Sequence, residues 1–291
     1  MRVFKDLSTF VFRMQTQDII TSTQNPKIKA LLQLQQKSSC RRQQQMFVVE
    51  GRRELMHCLS RGYKVNAVYL CPEILRAERE YETLLSQLPL CNCYVVSANV
   101  YERIAYRGDT EGLIAVVHMK AHGLDTLSTG KASPLYVVLE GVEKPGNIGA
   151  ILRSADAAGV DAVIMCDALT DLYNPNLIRA SLGGFFSVPT VVCSSVECIA
   201  YFKKKGVRIL TAQLQDSSLY YETDMSLPTA IVMGTEATGL TQAWRDAADA
   251  HIRIPMLGIL DSLNVSVSAA ILMFEAVRQR QKQTFIRSIC Q

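Results

Sequence analysis

Three glycine-bearing segments of this chain combine residue types and spacings that suit chemistry at the mouth of an α/β sheet. The first, Glu140-Gly-Val-Glu-Lys-Pro-Gly-Asn-Ile-Gly149, runs from an apolar stretch into a helix-like one. It offers free helix-start amides, Asn147 and, six residues on, Arg153. Six residues span under two turns, so both side chains can lie near one side of a strand–helix junction. Such a place suits a phosphate or a ribose, although by spacing alone an ordinary βα turn with Arg153 on a solvated face is the simpler reading. The second segment, Ile231-Val-Met-Gly-Thr-Glu-Ala-Thr-Gly239, puts Glu236 just past a buried strand end, with glycines that allow close backbone approach. A turn with a helix-capping acid is the alternative. The third, Ile254 to Ser268, crowds Ser262, Asn264, Ser266 and Ser268 at the entry to an apolar helix. A single cap needs only one such residue, so several suggest backbone shaped around a ligand.

These loops need elements to hold them. Short apolar runs at Leu135–Leu139, Ala162–Met165, Val188–Val192, Val207–Thr211 and Ala230–Met233 predict strands. Helices are predicted at Ile148–Ala158, near Val196–Lys205 and near Val265–Arg280. Buried strands alternating with amphipathic helices mean a mostly parallel sheet covered by helices on both faces, with ligands at the carboxyl ends of its strands. Upstream, a helix after Asn25-Pro26, strands at Met46–Val49, Val65–Leu70, Cys93–Val96 and Leu113–Val117, and a helix over Ile74–Leu88 predict a small α/β/α domain. The organisation expected is an extension over 1–18, a first domain over 19–118, a linker over 119–133 and a second domain over 134–291.

Length and composition agree. A chain of 291 residues, 48% hydrophobic and 20% charged, is too apolar to be disordered and long enough for two domains. The net charge of +4 is unevenly spread: residues 1–53 carry ten Lys/Arg against three acids, or +7, which leaves −3 for the rest. A basic first fifth on a near-neutral body suggests a polyanionic partner, nucleic acid foremost. Nine scattered cysteines without Cys-x-x-Cys spacing read as reduced, buried thiols rather than a metal site, and the cytoplasm is the expected compartment. No apolar run approaches the roughly 20 residues of a membrane span. The glycine spacing matches neither G-x-G-x-x-G nor G-x-x-x-x-G-K-S/T, which excludes a dinucleotide oxidoreductase and a P-loop nucleotidase.

The motifs N-x-G-x-x-x-R (Asn147, Gly149, Arg153), G-x-E-x-x-G-L (Gly234, Glu236, Gly239, Leu240) and I-P-M…S-L-N-V-S (Ile254–Met256, Ser262–Ser266) resemble those of the SpoU/TrmH family of RNA ribose 2′-O-methyltransferases. Arg179-Ala-Ser-Leu-Gly183 resembles the family's R-x-S-x-G segment. The resemblance covers roughly residues 134–282, and residues 19–118 are similar to the ribosomal-protein-like module that precedes it in many members. At Glu111 such members commonly carry Gln.

The resemblance implies a C-terminal trefoil knot, S-adenosylmethionine as cofactor, a homodimer with a shared active site, and RNA as substrate, ribosomal more often than transfer RNA. It implies catalytic roles for Asn147, Arg153, Glu236, Ser262 and Asn264, with Glu236 and Ser262 as partners of Arg153 or the substrate. Gly234, Ile254, Met256 and Leu263 would cradle the cofactor, and no metal is expected. Lys27, Arg41, Arg42 and Arg52 are the expected RNA contacts. An RNA-binding protein without catalysis on the same scaffold is the competing reading.

Overall fold

The structure is a computed structural model, and it describes residues 18–75, 84, 88, 92–106, 111–127 and 130–289, the last eight by their backbone alone. The helix expected over Ile74–Leu88 falls largely outside the described residues. The chain divides into two compact units. The first comprises the chain up to Lys120 together with Tyr173–Arg179, and the second comprises Ala121–Leu172 and Ala180–Gln291.

The first unit opens on helix α1 (Pro26–Gln36). Asn25 caps it by accepting from the Lys27 N–H, Pro26 stands where no N–H is needed, and Ile28, Leu31 and Leu34 form the buried stripe. Helix α2 (Ser38–Gln44) follows; the sequence reading missed it because its residues, SSCRRQQ, are polar and show no apolar period. Strand β1 (Met46–Glu50), helix α3 (Arg52–Ser60), β2 (Val65–Leu70), β3 (Cys93–Val95), α4 (Ala98–Ile104) and β4 (Leu113–His118) complete this part. Its sheet runs β1-β4-β2-β3, antiparallel at the first two pairings and parallel at the last. The later segment belongs here because the Tyr173 ring lies 4.4 Å from that of Phe47 and its hydroxyl accepts from the Lys120 N–H at 2.8 Å.

The second unit is a seven-stranded, wholly parallel sheet. In chain order it contains β5 (Leu135–Glu140), α5 (Pro145–Ala158), β6 (Ala162–Cys166), two short helices α6 (Pro175–Ala180, shared with the first unit) and α7 (Gly184–Ser187), and β7 (Thr190–Cys193). There follow α8 (Ser195–Lys205), β8 (Arg208–Ala212), β9 (Ser218–Leu219), β10 (Thr229–Met233), α9 (Gln242–Ala247), β11 (Ala250–Arg253) and α10 (Val265–Ile289). The strand order is β7-β6-β5-β10-β8-β11-β9. Every residue of β5, β6 and β10 is buried, as expected for strands covered on both faces.

Two expectations shift here. Helix α5 starts three residues before Ile148, at Pro145, so Asn147 lies in its first turn rather than in a preceding loop. The stretch expected as a linker is tied down from Ala121 onward: His122 accepts from the Val192 N–H through its carbonyl, and its ring pairs with the Thr190 carbonyl, each at 2.7 Å. Among the described residues, no helix is long and apolar enough to cross a membrane.

Candidate active site

The carboxyl ends of β5 and β10 and the start of α10 bring three expected residues into mutual contact. Asn147 donates through Nδ2 to Glu236 Oε1 at 3.0 Å. Asn264 donates through its own Nδ2 to Asn147 Oδ1 and to Glu236 Oε1, both at 3.2 Å. Its Oδ1 meanwhile accepts from the Ser266 N–H at 3.0 Å and the Ser266 hydroxyl at 2.6 Å, which caps α10. Asn264 therefore starts a helix and closes a polar triangle with one side chain.

Lys144, which the sequence reading did not single out, completes this cluster by pairing with Glu236 Oε2 at 2.5 Å. That ammonium, chiefly through its hydrogen bond and then its charge, with Asn147 adding to it, holds the Glu236 carboxyl below its ordinary value. Glu236 is thus an ionised orienting group. Its neighbour Lys144 was legible only as a loop lysine, because 92 residues separate the pair.

The other two expected catalytic residues stand apart from the triangle. Ser262 is exposed and its hydroxyl donates to Asp261 Oδ1 at 3.1 Å. Arg153 is exposed and, among the described residues, its guanidinium makes no hydrogen bond or ion pair, Glu236 and Ser262 included. The helix backbone that carries Arg153 is nevertheless firmly seated. A Cβ on Gly184 would lie 2.9 Å from the Leu152 carbonyl oxygen and 3.1 Å from the Arg153 nitrogen. Glycine is what lets α7 press against α5 at that point.

Beside the triangle lies a cleft of about 350 Å³, whose lining includes all four expected cofactor residues, Gly234, Ile254, Met256 and Leu263. That volume falls at the lower end of small-molecule sites. Gly234 has no space for a side chain, since a Cβ would stand 2.4 Å from the Gly239 carbonyl carbon. The turn that follows is closed by paired backbone bonds between Thr235 and Gly239 at 3.2 and 3.1 Å. Among the described residues, two buried polar atoms belonging to cleft-lining side chains, Gln213 Oε1 and Arg245 Nε, have no hydrogen-bond partner. An acceptor and a donor left orphaned there fit a ligand bearing both amine and hydroxyl or carboxylate groups.

In the first unit the four expected RNA contacts part ways. Arg41 is 2% exposed, and its Nη1 donates to the carbonyls of Leu34 and Gln35 at 2.6 and 3.1 Å. This corrects the expectation: its guanidinium satisfies the end of α1 and is turned away from solvent. Arg42 and Lys27 are exposed, the latter with Nζ 3.9 Å from the centre of the Tyr94 ring. Arg52 is half-buried, and its backbone N–H donates to Glu111 Oε2 at 2.5 Å. Glu111 thus supplies an acceptor oxygen at the start of α3, a contact that a Gln side-chain oxygen could equally accept.

A parallel α/β unit with a small-molecule cleft at its strand ends, beside a fixed polar cluster, is the layout of an α/β protein that binds a small ligand there. The SpoU rRNA methylase family matches residues 134–274, and an MRM3-like substrate binding domain matches residues 25–115. The chain is 38% identical over 176 residues to the 23S rRNA (guanosine-2′-O-)-methyltransferase RlmB of Photobacterium profundum, covering 59% of this chain and 72% of that one. It is 29% identical over 255 residues to a Bacillus subtilis 23S rRNA guanosine 2′-O-methyltransferase, RlmP, covering 88% and 97%. Among solved structures, the AdoMet-bound rRNA methyltransferase of Sinorhizobium meliloti is 27% identical, with a TM-score of 0.80 over 90% of this chain and 97% of that one. The chain belongs to the SpoU methylase family of RNA 2′-O-methyltransferases.

Proposed function

We propose that this protein methylates a ribose 2′-hydroxyl of ribosomal RNA, using S-adenosylmethionine, with residues 19–118 gripping the RNA and residues 134–291 carrying the transfer. The observation that carries the reading is the cleft that gathers Gly234, Ile254, Met256 and Leu263 directly beside the Asn147–Glu236–Asn264 triangle. The 23S rRNA relatives favour ribosomal over transfer RNA. Ribosomal substrates and nine thiols suit the cytoplasm.

When bound, the cofactor supplies a methyl group already activated on a sulfonium, so the protein's tasks are alignment, exclusion of water and management of one proton. Gly234 permits backbone approach, Met256, Leu263 and Leu272 give an apolar wall, and Gln213 and Arg245 offer the unpartnered acceptor and donor. The Arg153 side chain is a guanidinium with five donors and no acceptor, so its role is to bind and polarise by charge. Free of side-chain partners among the described residues, it is available to bind the target phosphate and to lower the pKa of the attacking hydroxyl. Glu236, held ionised, is a poor proton acceptor and serves to fix the Asn147 and Asn264 amides.

The homodimer and the trefoil knot belong to the same proposal. Leu257, Ile259 and Leu260 are 97%, 103% and 75% exposed, and Val267 and Phe274 about half, an apolar display that suits a partner subunit. Helix α10 returns to pack on α5 and β10, and Asn264 meets Asn147 across 117 residues, a closure in keeping with a knotted end.

The test is calorimetric binding of S-adenosylmethionine followed by transfer of labelled methyl to purified ribosomal and transfer RNA. Arg153→Ala should reduce transfer about 10²- to 10³-fold while leaving cofactor affinity intact. Tight RNA binding with no transfer by the unaltered chain would leave only the non-catalytic reading, and transfer confined to transfer RNA would move the substrate assignment.

A further inference from the structure

Three cysteines converge in the second unit, at the carboxyl ends of the strands next to β5. Cys166 ends β6, Cys193 ends β7, and Cys198 lies near the start of α8. Their sulfurs all lie within 4.8 Å of one another, with Cys166 and Cys193 at 4.0 Å. Cys166 and Cys193 are register partners on adjacent parallel strands, so both side chains leave the same face of the sheet. The Ser194–Glu197 capping box fixes the start of α8 and thereby where Cys198 stands. Cys166 and Cys198 are buried and Cys193 is partly exposed.

We propose that Cys166, Cys193 and Cys198 form a binding site for one zinc ion, with a fourth coordination position open on the side of Cys193. Zinc–sulfur bonds of about 2.3 Å in tetrahedral geometry hold sulfurs about 3.8 Å apart. The 4.0 Å pair already meets this, and the widest separation allowed by 4.8 Å closes with a shift of about 1 Å. Charge selects among thiophilic cations. Three thiolates around a dication leave one net negative charge, whereas around copper(I) they leave two, and burial beside a hydrophobic core disfavours the larger charge. The positive end of α8 offsets the remaining charge. Zinc binds the cysteines as thiolates, and the protons that their thiols carry are released to solvent.

The experiment uses the full chain, reduced and stripped with a chelator, then titrated separately with zinc and with cobalt(II). Expected are one zinc per chain, a buffer-dependent heat that reports proton release, a raised unfolding temperature, and a thiolate-to-cobalt charge-transfer band. Cys193→Ala, at the partly exposed position, should lose the band and weaken zinc binding on the order of 100-fold or more, while Cys40→Ala keeps both. If Cys193→Ala fails to fold, Cys193→Ser takes its place. A folded protein that shows no band, or a band that survives both Cys193→Ala and Cys198→Ala, overturns the site and leaves three packed core thiols.

Discussion

Two glutamates near parallel strand ends do opposite work. Glu140, the last residue of β5, is 4% exposed. It accepts from the Thr241 N–H at 2.8 Å, the Thr241 hydroxyl at 2.6 Å and the Ser195 hydroxyl at 3.2 Å, and Ser195 in turn accepts from the buried Trp244 indole at 2.8 Å. Glu236, three residues past β10, is exposed and gathers the side chains of Lys144, Asn147 and Asn264, with the Val265 backbone N–H beside them. The first ties the start of α9 and the front of α8 to the sheet; the second orients amides at the edge of a cleft. Arg41 and Arg42 repeat the contrast one residue apart, the first spent on α1 carbonyls and the second facing solvent. Residue type is shared within each pair, strand-end position within the first and one short helix within the second. Burial and partners divide them.

Each side of that contrast can be broken. Glu140→Ala should cost about 3 kcal/mol in urea unfolding, because it removes the acceptor of the buried Ser195 hydroxyl and of the part-buried Thr241 amide and hydroxyl. An unchanged midpoint would erase its distinction from Glu236. Arg41→Ala should cost about 2 kcal/mol by the same loss of bonds from a charged donor, with little change in the salt dependence of RNA binding. Arg42→Ala should leave unfolding unaltered and reduce the salt slope by about one. Identical behaviour of the two variants would mean that burial does not separate their roles.

Glu236→Gln should lower methyl transfer about ten- to a hundredfold through misplaced amides, with the unfolding midpoint unmoved. The smallest effect concerns pH. The Glu236 carboxyl is held below its ordinary value, so its pairing is complete above about pH 4.3 and is lost only as pH falls through the lower folded value. Rate profiles of the unaltered chain and Glu236→Gln should therefore share one shape above about pH 5. An acid limb near pH 6 that disappears in Glu236→Gln would make this carboxylate a proton carrier instead.

Much of the layout is legible in residue order. Apolar runs mark β5, β6, β8 and β10 because strands buried on both faces admit little else, and Asn25-Pro26 marks the start of α1 by capping chemistry. Helices α2 and α9 and strands β9 and β11 escape that reading, being short and polar or half-buried, with no period long enough to count. At the site, the types and spacing of Asn147, Glu236 and Asn264 mark them out singly. Lys144 carries no such mark, and neither does Gly184, whose need for a missing side chain comes from the Leu152 carbonyl 2.9 Å away.

By itself the sequence determined the α/β class, the strand-end loops and the family to which they belong, because local periodicity and short motifs survive in one dimension. Only the tertiary structure decided which groups share a point in space. It put Lys144 on Glu236, turned Arg41 inward while leaving Arg42 outside, and drew Cys166, Cys193 and Cys198 within 4.8 Å. Those outcomes depend on strand order and helix seating, which no local spacing encodes.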